Sequence, residues 1–251
     1  MDVKKYDISG PSTKFKRILE WYPSDDLENF EKQRKEHQEV WNAKGPIYYD
    51  INKYGFRSDI FPEEECRESI TFLGCSMTQG IGIHKENTWA TQLANKMNLR
   101  EINLGIPAGS SDSAFRVYNE WQPIHKSKIT CLLLPPSNRM ELLKDDRWLN
   151  IGHWSVVKNK MPEELLTQLL DPTLGQVRID RNTAAIKWIA QETDSTLIVI
   201  DSAIDTGLES RLYRARDNKH PGEQWNQKIA EEFYDRIIHT TSTDPNSISQ
   251  E

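Results

Sequence analysis

Four short stretches of this sequence carry side chains suited to acyl transfer. Gly74-Cys75-Ser76-Met77-Thr78-Gln79-Gly80 holds a serine among small neighbours. Gly105-Ile106-Pro107-Ala108-Gly109-Ser110 offers backbone amides in a flexible loop. Pro135-Pro136-Ser137-Asn138-Arg139 supplies a side-chain amide. Asp217-Asn218-Lys219-His220-Pro221-Gly222 sets a carboxylate three residues before an imidazole. A serine hydroxyl is a weak nucleophile until a base takes its proton, and histidine is the usual base. The histidine needs a carboxylate to set its tautomer and stabilise the imidazolium. The tetrahedral intermediate needs N–H donors fixed in advance around its oxyanion. Ser76, Asp217 and His220 are therefore the candidate catalytic residues. The amides of Ser76 and of Ala108 or Gly109, with the Asn138 side chain, are the candidate oxyanion donors. A tight turn over Asp217 to His220 would let the carboxylate reach Nδ1 and leave Nε2 for Ser76.

These residues act together only if the fold gathers their loops. Compact apolar runs at Ser69–Gly74, Glu101–Leu104, Ile129–Leu134 and Thr196–Ile200 read as strands covered on both faces. Helical stretches at Trp89–Met97, Ser113–His125, Asn182–Thr193 and Glu223–Ile238 alternate with them. That rhythm predicts an α/β fold, a parallel sheet between two helical layers. In such sheets sites lie in the loops beyond the strands' carboxyl ends, where all four stretches fall. Residues 140–180 interrupt the rhythm, with a Trp/His-rich loop and a short helix over Pro162–Leu170, and read as an insertion. Residues 1–67 are polar but rich in aromatics, which predicts an extension that packs its rings on the main domain at 68–241. Within it, Asp25–Val40 reads as one exposed helix capped by Ser24. The last ten residues, 242–251, read as a disordered tail.

The four blocks, in this order, resemble the SGNH hydrolases, the GDSL-type esterases and lipases. Gly74-Cys75-Ser76 is similar to the family's nucleophile block, with Thr78 and Gly80 at similar spacing. Asn103 to Gly109 resembles the block that supplies a backbone amide, and Leu134 to Asn138 the block that supplies an Asn side chain. Asp217-x-x-His220 matches the last block, and Asn52 to Arg57 is similar to a lead-in found in some members. The resemblance spans residues 68–240 and implies a flavodoxin-like three-layer α/β/α sandwich with a Ser-Asp-His triad. It also implies ester hydrolysis, on small O-acyl groups of short-chain or carbohydrate esters, without cofactor or metal. Three positions depart from the pattern: Cys75 replaces the family's Asp, Ala108 stands where its Gly is expected, and Pro135-Pro136 replaces a leading Gly. Those departures, with the large aromatic N-terminal extension, motivate one alternative, an idle SGNH-like module for binding or assembly; a further alternative is an acyltransferase using the same triad.

Other residues have plainer readings. Trp148, His153 and Trp154 could line a substrate pocket and stack on a sugar, or pack the insertion onto the core. Arg211, Arg214 and Arg216 read by default as solvated surface, and Cys75 and Cys131 as small packing residues. No Gly-Lys-Ser/Thr follows Gly80-Ile81-Gly82, so it is not a phosphate loop. Thr78 breaks the GxSxG pattern of the α/β-hydrolases.

Composition narrows the classes further. The chain has 251 residues and net charge −6, without the basic footprint of a nucleic-acid binder. No apolar run approaches the roughly 18 residues of a membrane span. MDVKKYDISG lacks the apolar core of a secretory signal, and three cysteines without paired spacing indicate no disulfide framework or zinc site. A cytoplasmic setting is the resulting expectation.

Overall fold

The four apolar runs form one parallel sheet because each presents side chains to both faces. The computed structural model describes residues 17–22, 24–58, 63–145, 147–158, 161–201 and 214–242. The first segment holds β1 (Arg17–Leu19), α1 (Leu27–Glu31), α2 (Lys35–Lys44) and β2 (Tyr49–Ile51). Then come β3 (Ser69–Leu73), α3 (Ser76–Gln79), α4 (Trp89–Met97), β4 (Arg100–Asn103), α5 (Ser111–His125) and β5 (Ile129–Leu133). A hairpin, β6 (Met140–Lys144) and β7 (Arg147–Ile151), leads to α6 (Ser155–Lys158), α7 (Glu163–Leu169) and α8 (Pro172–Glu192). β8 (Thr196–Ile200) and α9 (Glu223–Ser242) complete the described chain.

The main sheet has the order β4-β3-β5-β8, all parallel. Ile70, Phe72, Ile129, Cys131, Leu133, Ile198 and Ile200 pack with Trp89 and Leu93 of α4 and Trp225, Ile229 and Phe233 of α9. Leu73 and Leu132 pack on the opposite side with Val117, Tyr118 and Trp121 of α5 and Ile186 and Ile189 of α8. The result is the expected three-layer α/β/α sandwich. Full burial of each such side chain contributes about 1.5–3 kcal/mol. The strand order reverses beside β3, the position where open sheets form their crevice, and Ser76 lies just beyond the end of β3.

Local chemistry sets the ends of the elements. Thr88 caps α4, its hydroxyl accepting from the Thr91 N–H. Ser110 and Ser113 form a capping box, so α5 starts at Ser111 rather than at Ser113. Asp171 caps α8 and Pro172 fills its first turn, so this helix begins ten residues before the predicted Asn182. The insertion is correspondingly shorter, and its Trp/His-rich loop is largely the hairpin β6–β7. The single helix expected over Asp25–Val40 is instead α1 and α2. Its break is stabilised by Gln38, whose side-chain amide donates to the carbonyls of Phe30, Glu31 and Gln33. The cap of α1 is Asp26, not Ser24.

The first segment has its own core. Phe30, Trp41, Ile47, Tyr49 and Ile51 bury against Ile81, Ile83 and Ala215. Ile81 and Ile83 follow the Ser76 helix, and Ala215 lies two residues before Asp217. Phe56 joins the α5–α8 side of the main core. Tyr48 stays exposed, and Tyr6 and Phe15 lie outside the described residues, as does the predicted tail beyond Ser242.

Candidate functional site

Ser76 owes its position to a sharp change of direction after β3. Gly74 has φ +152, and a Cβ there would land on the Thr78 hydroxyl and 2.8 Å from the Leu133 carbonyl. Only glycine allows the strand to turn so closely into α3. Ser76 is the first residue of that four-residue helix and is 6% exposed. Cys75, the departure from the family pattern, is buried and makes no side-chain cap. Asn103 anchors α3 to the end of β4: its amide donates to the Thr78 carbonyl at 2.9 Å and accepts from the Gly105 N–H at 3.0 Å.

Asp217 and His220 occupy one tight turn. Asp217 Oδ1 accepts from the backbone N–H groups of Lys219 and His220, both at 3.0 Å. Its Oδ2 lies 2.6 Å from His220 Nδ1. His220 Nε2 lies 2.8 Å from Ser76 Oγ. Burial alone would push the Asp217 carboxyl up, but the His220 ring and the two backbone donors hold it below the usual carboxylate range. An ionised carboxylate at Nδ1 keeps the proton there and leaves Nε2 as the acceptor facing Ser76. Pro221 forms an isolated bridge with Arg214, and α9 begins two residues later, at Glu223.

The loop beyond β4 offers its amides unequally. The Gly109 N–H closes a turn on the Ile106 carbonyl at 2.9 Å. Among the described residues no hydrogen bond engages the N–H of Ala108 or of Ser76. Ala108 has φ +59, a left-handed backbone uncommon for alanine. Of the two positions weighed in the sequence, Ala108 is the one with a free amide. The Asn150 side chain donates to the Pro107 carbonyl, 3.1 Å away, across the same peptide unit. Asn150 is itself oriented by the Ser113 hydroxyl, which donates to its Oδ1 at 3.0 Å. Asn138 is exposed on the loop beyond β5, where α8 approaches so closely that a Cβ on Gly175 would strike the Ser137 carbonyl.

The aromatic candidates of the insertion divide. Trp148 lies under the guanidinium of Arg116, 4.8 Å from its ring centre. Arg116 makes a buried bidentate pair with Glu141, so this contact anchors the hairpin to α5. Trp154 is half-buried and folds over Gly152, with Arg139 above its ring and the exposed His153 at its edge.

Several residues around the site have roles that the sequence did not suggest. Arg57, in the lead-in stretch, is 1% exposed and donates to the carbonyls of Tyr48, Gly80 and Ile83, so it clamps the loop beyond α3. Arg216 is not the solvated surface residue expected: it is 3% exposed and paired with Asp25. Arg214 donates to the Lys219 carbonyl, and Arg211 lies outside the described residues. Ser24 donates to Asp217 Oδ2 at 3.1 Å. The available sequence signal was the adjacency of Arg216 to Asp217, but its partner lies 191 positions away.

No family model matches the chain, and no curated protein matches it. Solved structures similar to it include a psychrotrophic esterase from Pseudoalteromonas sp. (17% identity, 70% of this chain, 100% of that chain, TM-score 0.39). A putative lipolytic protein of the G-D-S-L family from Desulfitobacterium hafniense is another (14%, 68% and 99%, TM-score 0.35). A third is an acetylxylan esterase from Geobacillus stearothermophilus (15%, 70% and 96%, TM-score 0.37). At these values the likeness is one of overall arrangement and gives no residue of this chain a role.

Proposed function

We propose that the chain is a serine esterase acting on small O-acyl esters. The observation that carries this reading is the unbroken line from Ser76 Oγ to His220 Nε2 at 2.8 Å and from Nδ1 to Asp217 at 2.6 Å. His220 takes the Ser76 proton as Oγ attacks the ester carbonyl. The oxyanion is met by the N–H groups of Ser76 and Ala108 and the amide of Asn138. The imidazolium then returns the proton to the departing alkoxide, and the acyl-enzyme forms. Water, deprotonated by His220, attacks the acyl group and releases the acid and Ser76. General-base help of this kind contributes about 10²–10⁴-fold, and each oxyanion donor about 10²–10³-fold.

The small exposure of Ser76, 6%, favours a short acyl group. An idle module would be expected to part Ser76 from His220, and the 2.8 Å separation speaks against that alternative. No described helix is long and apolar enough to cross a membrane.

The test pairs fluorophosphonate labelling with hydrolysis of short nitrophenyl esters. Label on Ser76, and a loss on the order of 10⁶-fold in Ser76→Ala, are expected where nucleophile and base act as a unit. Label at another residue, or equal turnover by the variant, would overturn the proposal.

A further inference from the structure

The N-terminal segment reaches the back of the triad through a buried polar network. Asp217 receives four hydrogen bonds. Two backbone donors from its own turn serve Oδ1, while His220 Nδ1 and the Ser24 hydroxyl share Oδ2. Ser24 is, among the described residues, the donor that comes from outside the turn. Next to it, Asp25 takes Nε of Arg216 at 3.0 Å and Nη2 at 2.6 Å, with side-chain exposures of 0% and 4%. Arg216 immediately precedes Asp217, so the ion pair holds the very turn that carries the carboxylate.

The same network extends to the nucleophile's loop. Tyr49 donates its hydroxyl to Asp25 at 2.6 Å and accepts from the Gly82 N–H at 2.8 Å. The Arg216 N–H donates to the Gly82 carbonyl at 2.8 Å. A buried ion pair is a weak source of net stability, because desolvation offsets its attraction. Its clearer consequence is geometric, since it fixes two loops to one segment.

We infer that Ser24, held in place by the Asp25–Arg216 pair, is a positioning residue of the triad and makes the N-terminal segment part of the acyl-transfer machinery. This rests on the esterase reading. The Ser24 hydroxyl keeps the buried Asp217 carboxylate from twisting away from Nδ1 and shares the charge on Oδ2. Without it, Oδ2 has His220 alone, and the alignment of the imidazole toward Ser76 loosens.

The experiment uses the full chain with Ser24→Ala and Ser24→Thr, nitrophenyl acetate turnover, and proton NMR of the short His220–Asp217 hydrogen bond. That resonance is assigned by its loss in Asp217→Asn. Ser24→Ala should lower kcat about tenfold at unchanged KM and shift the resonance, and Ser24→Thr should restore both. A double variant, Asp25→Leu with Arg216→Met, removes the clamp without leaving a buried charge, and should lower kcat while the protein still folds. The inference is overturned by unchanged kcat and resonance in Ser24→Ala. It is equally overturned if kcat, KM and melting temperature fall together while the resonance stays in place. A wild-type protein that neither turns over esters nor labels at Ser76 would sink the esterase reading alone. A shifted resonance in Ser24→Ala would still support the Ser24–Asp217 coupling.

Discussion

Replacing Asp217 by Asn tests the proposed mechanism at its most constrained atom pair. The structure dictates how the new amide must sit. Two backbone N–H groups, each 3.0 Å away, face Oδ1 and require an oxygen there. The amide nitrogen must then take the place of Oδ2, 2.6 Å from His220 Nδ1. Nδ1 now has to accept, and the ring proton moves to Nε2. That N–H points at Ser76 Oγ, 2.8 Å away, and can no longer take its proton. The reactive tautomer instead brings two N–H donors face to face. The loss of a charge-assisted bond is about 1.5–3 kcal/mol, and an unpaired buried donor costs about 1–3 kcal/mol more. Together they slow kcat by roughly 10²–10⁴-fold at 1.36 kcal/mol per decade. The assay is steady-state hydrolysis of nitrophenyl acetate, with thermal unfolding to confirm that the variant is folded. A folded Asp217→Asn protein with kcat within fivefold of wild type would refute the assignment of Asp217.

Two further outcomes follow from the same geometry. The Asp217 carboxyl is held below its ordinary value in the folded chain, so its share of stability is full above the unfolded value near 3.9 and fades as pH falls through the lower folded value. Urea melts between about pH 6 and 2 should therefore show the stability gap between wild type and Asp217→Asn shrinking on acidification, and a constant gap would contradict the ionised carboxylate. Asn150→Asp keeps the acceptor for the Ser113 hydroxyl but loses the donor to the Pro107 carbonyl, which frees the peptide bearing the Ala108 N–H. It should lower kcat by about 10–10²-fold at constant KM, and unchanged kcat would remove Ala108 from the oxyanion hole.

Much of the frame was legible in the chain because local and global signals agree. The four apolar runs became the four parallel strands, and Trp89–Met97 became a helix with those same ends. Thr88 before it and Asn98 after it are local cap signals that need no tertiary partner. Over Asp25–Val40 the sequence reads as one helix because its periodic charges hide the break sealed by the Gln38 side chain. The start of α8 differs from the sequence reading because residues 172–180 read as part of the insertion, although Asp171-Pro172 is a sound helix start. The hairpin β6–β7 has no clear signal in the sequence, its strands being partly exposed rather than clearly alternating.

The sequence by itself determined which chemistry the loops can perform, since residue types and their order beyond the strands are properties of the chain. Tertiary structure alone decided the distances among Ser76, His220 and Asp217, which lie up to 144 positions apart. It also decided that the amide left free is that of Ala108, because the Gly109 N–H closes on Ile106. The place of Ser24, Asp25 and Arg216 behind the triad was likewise beyond reach of the sequence. A buried ion pair between residues 191 positions apart has no local signature, since neither partner's type nor its neighbours reveal what the fold will bring against it.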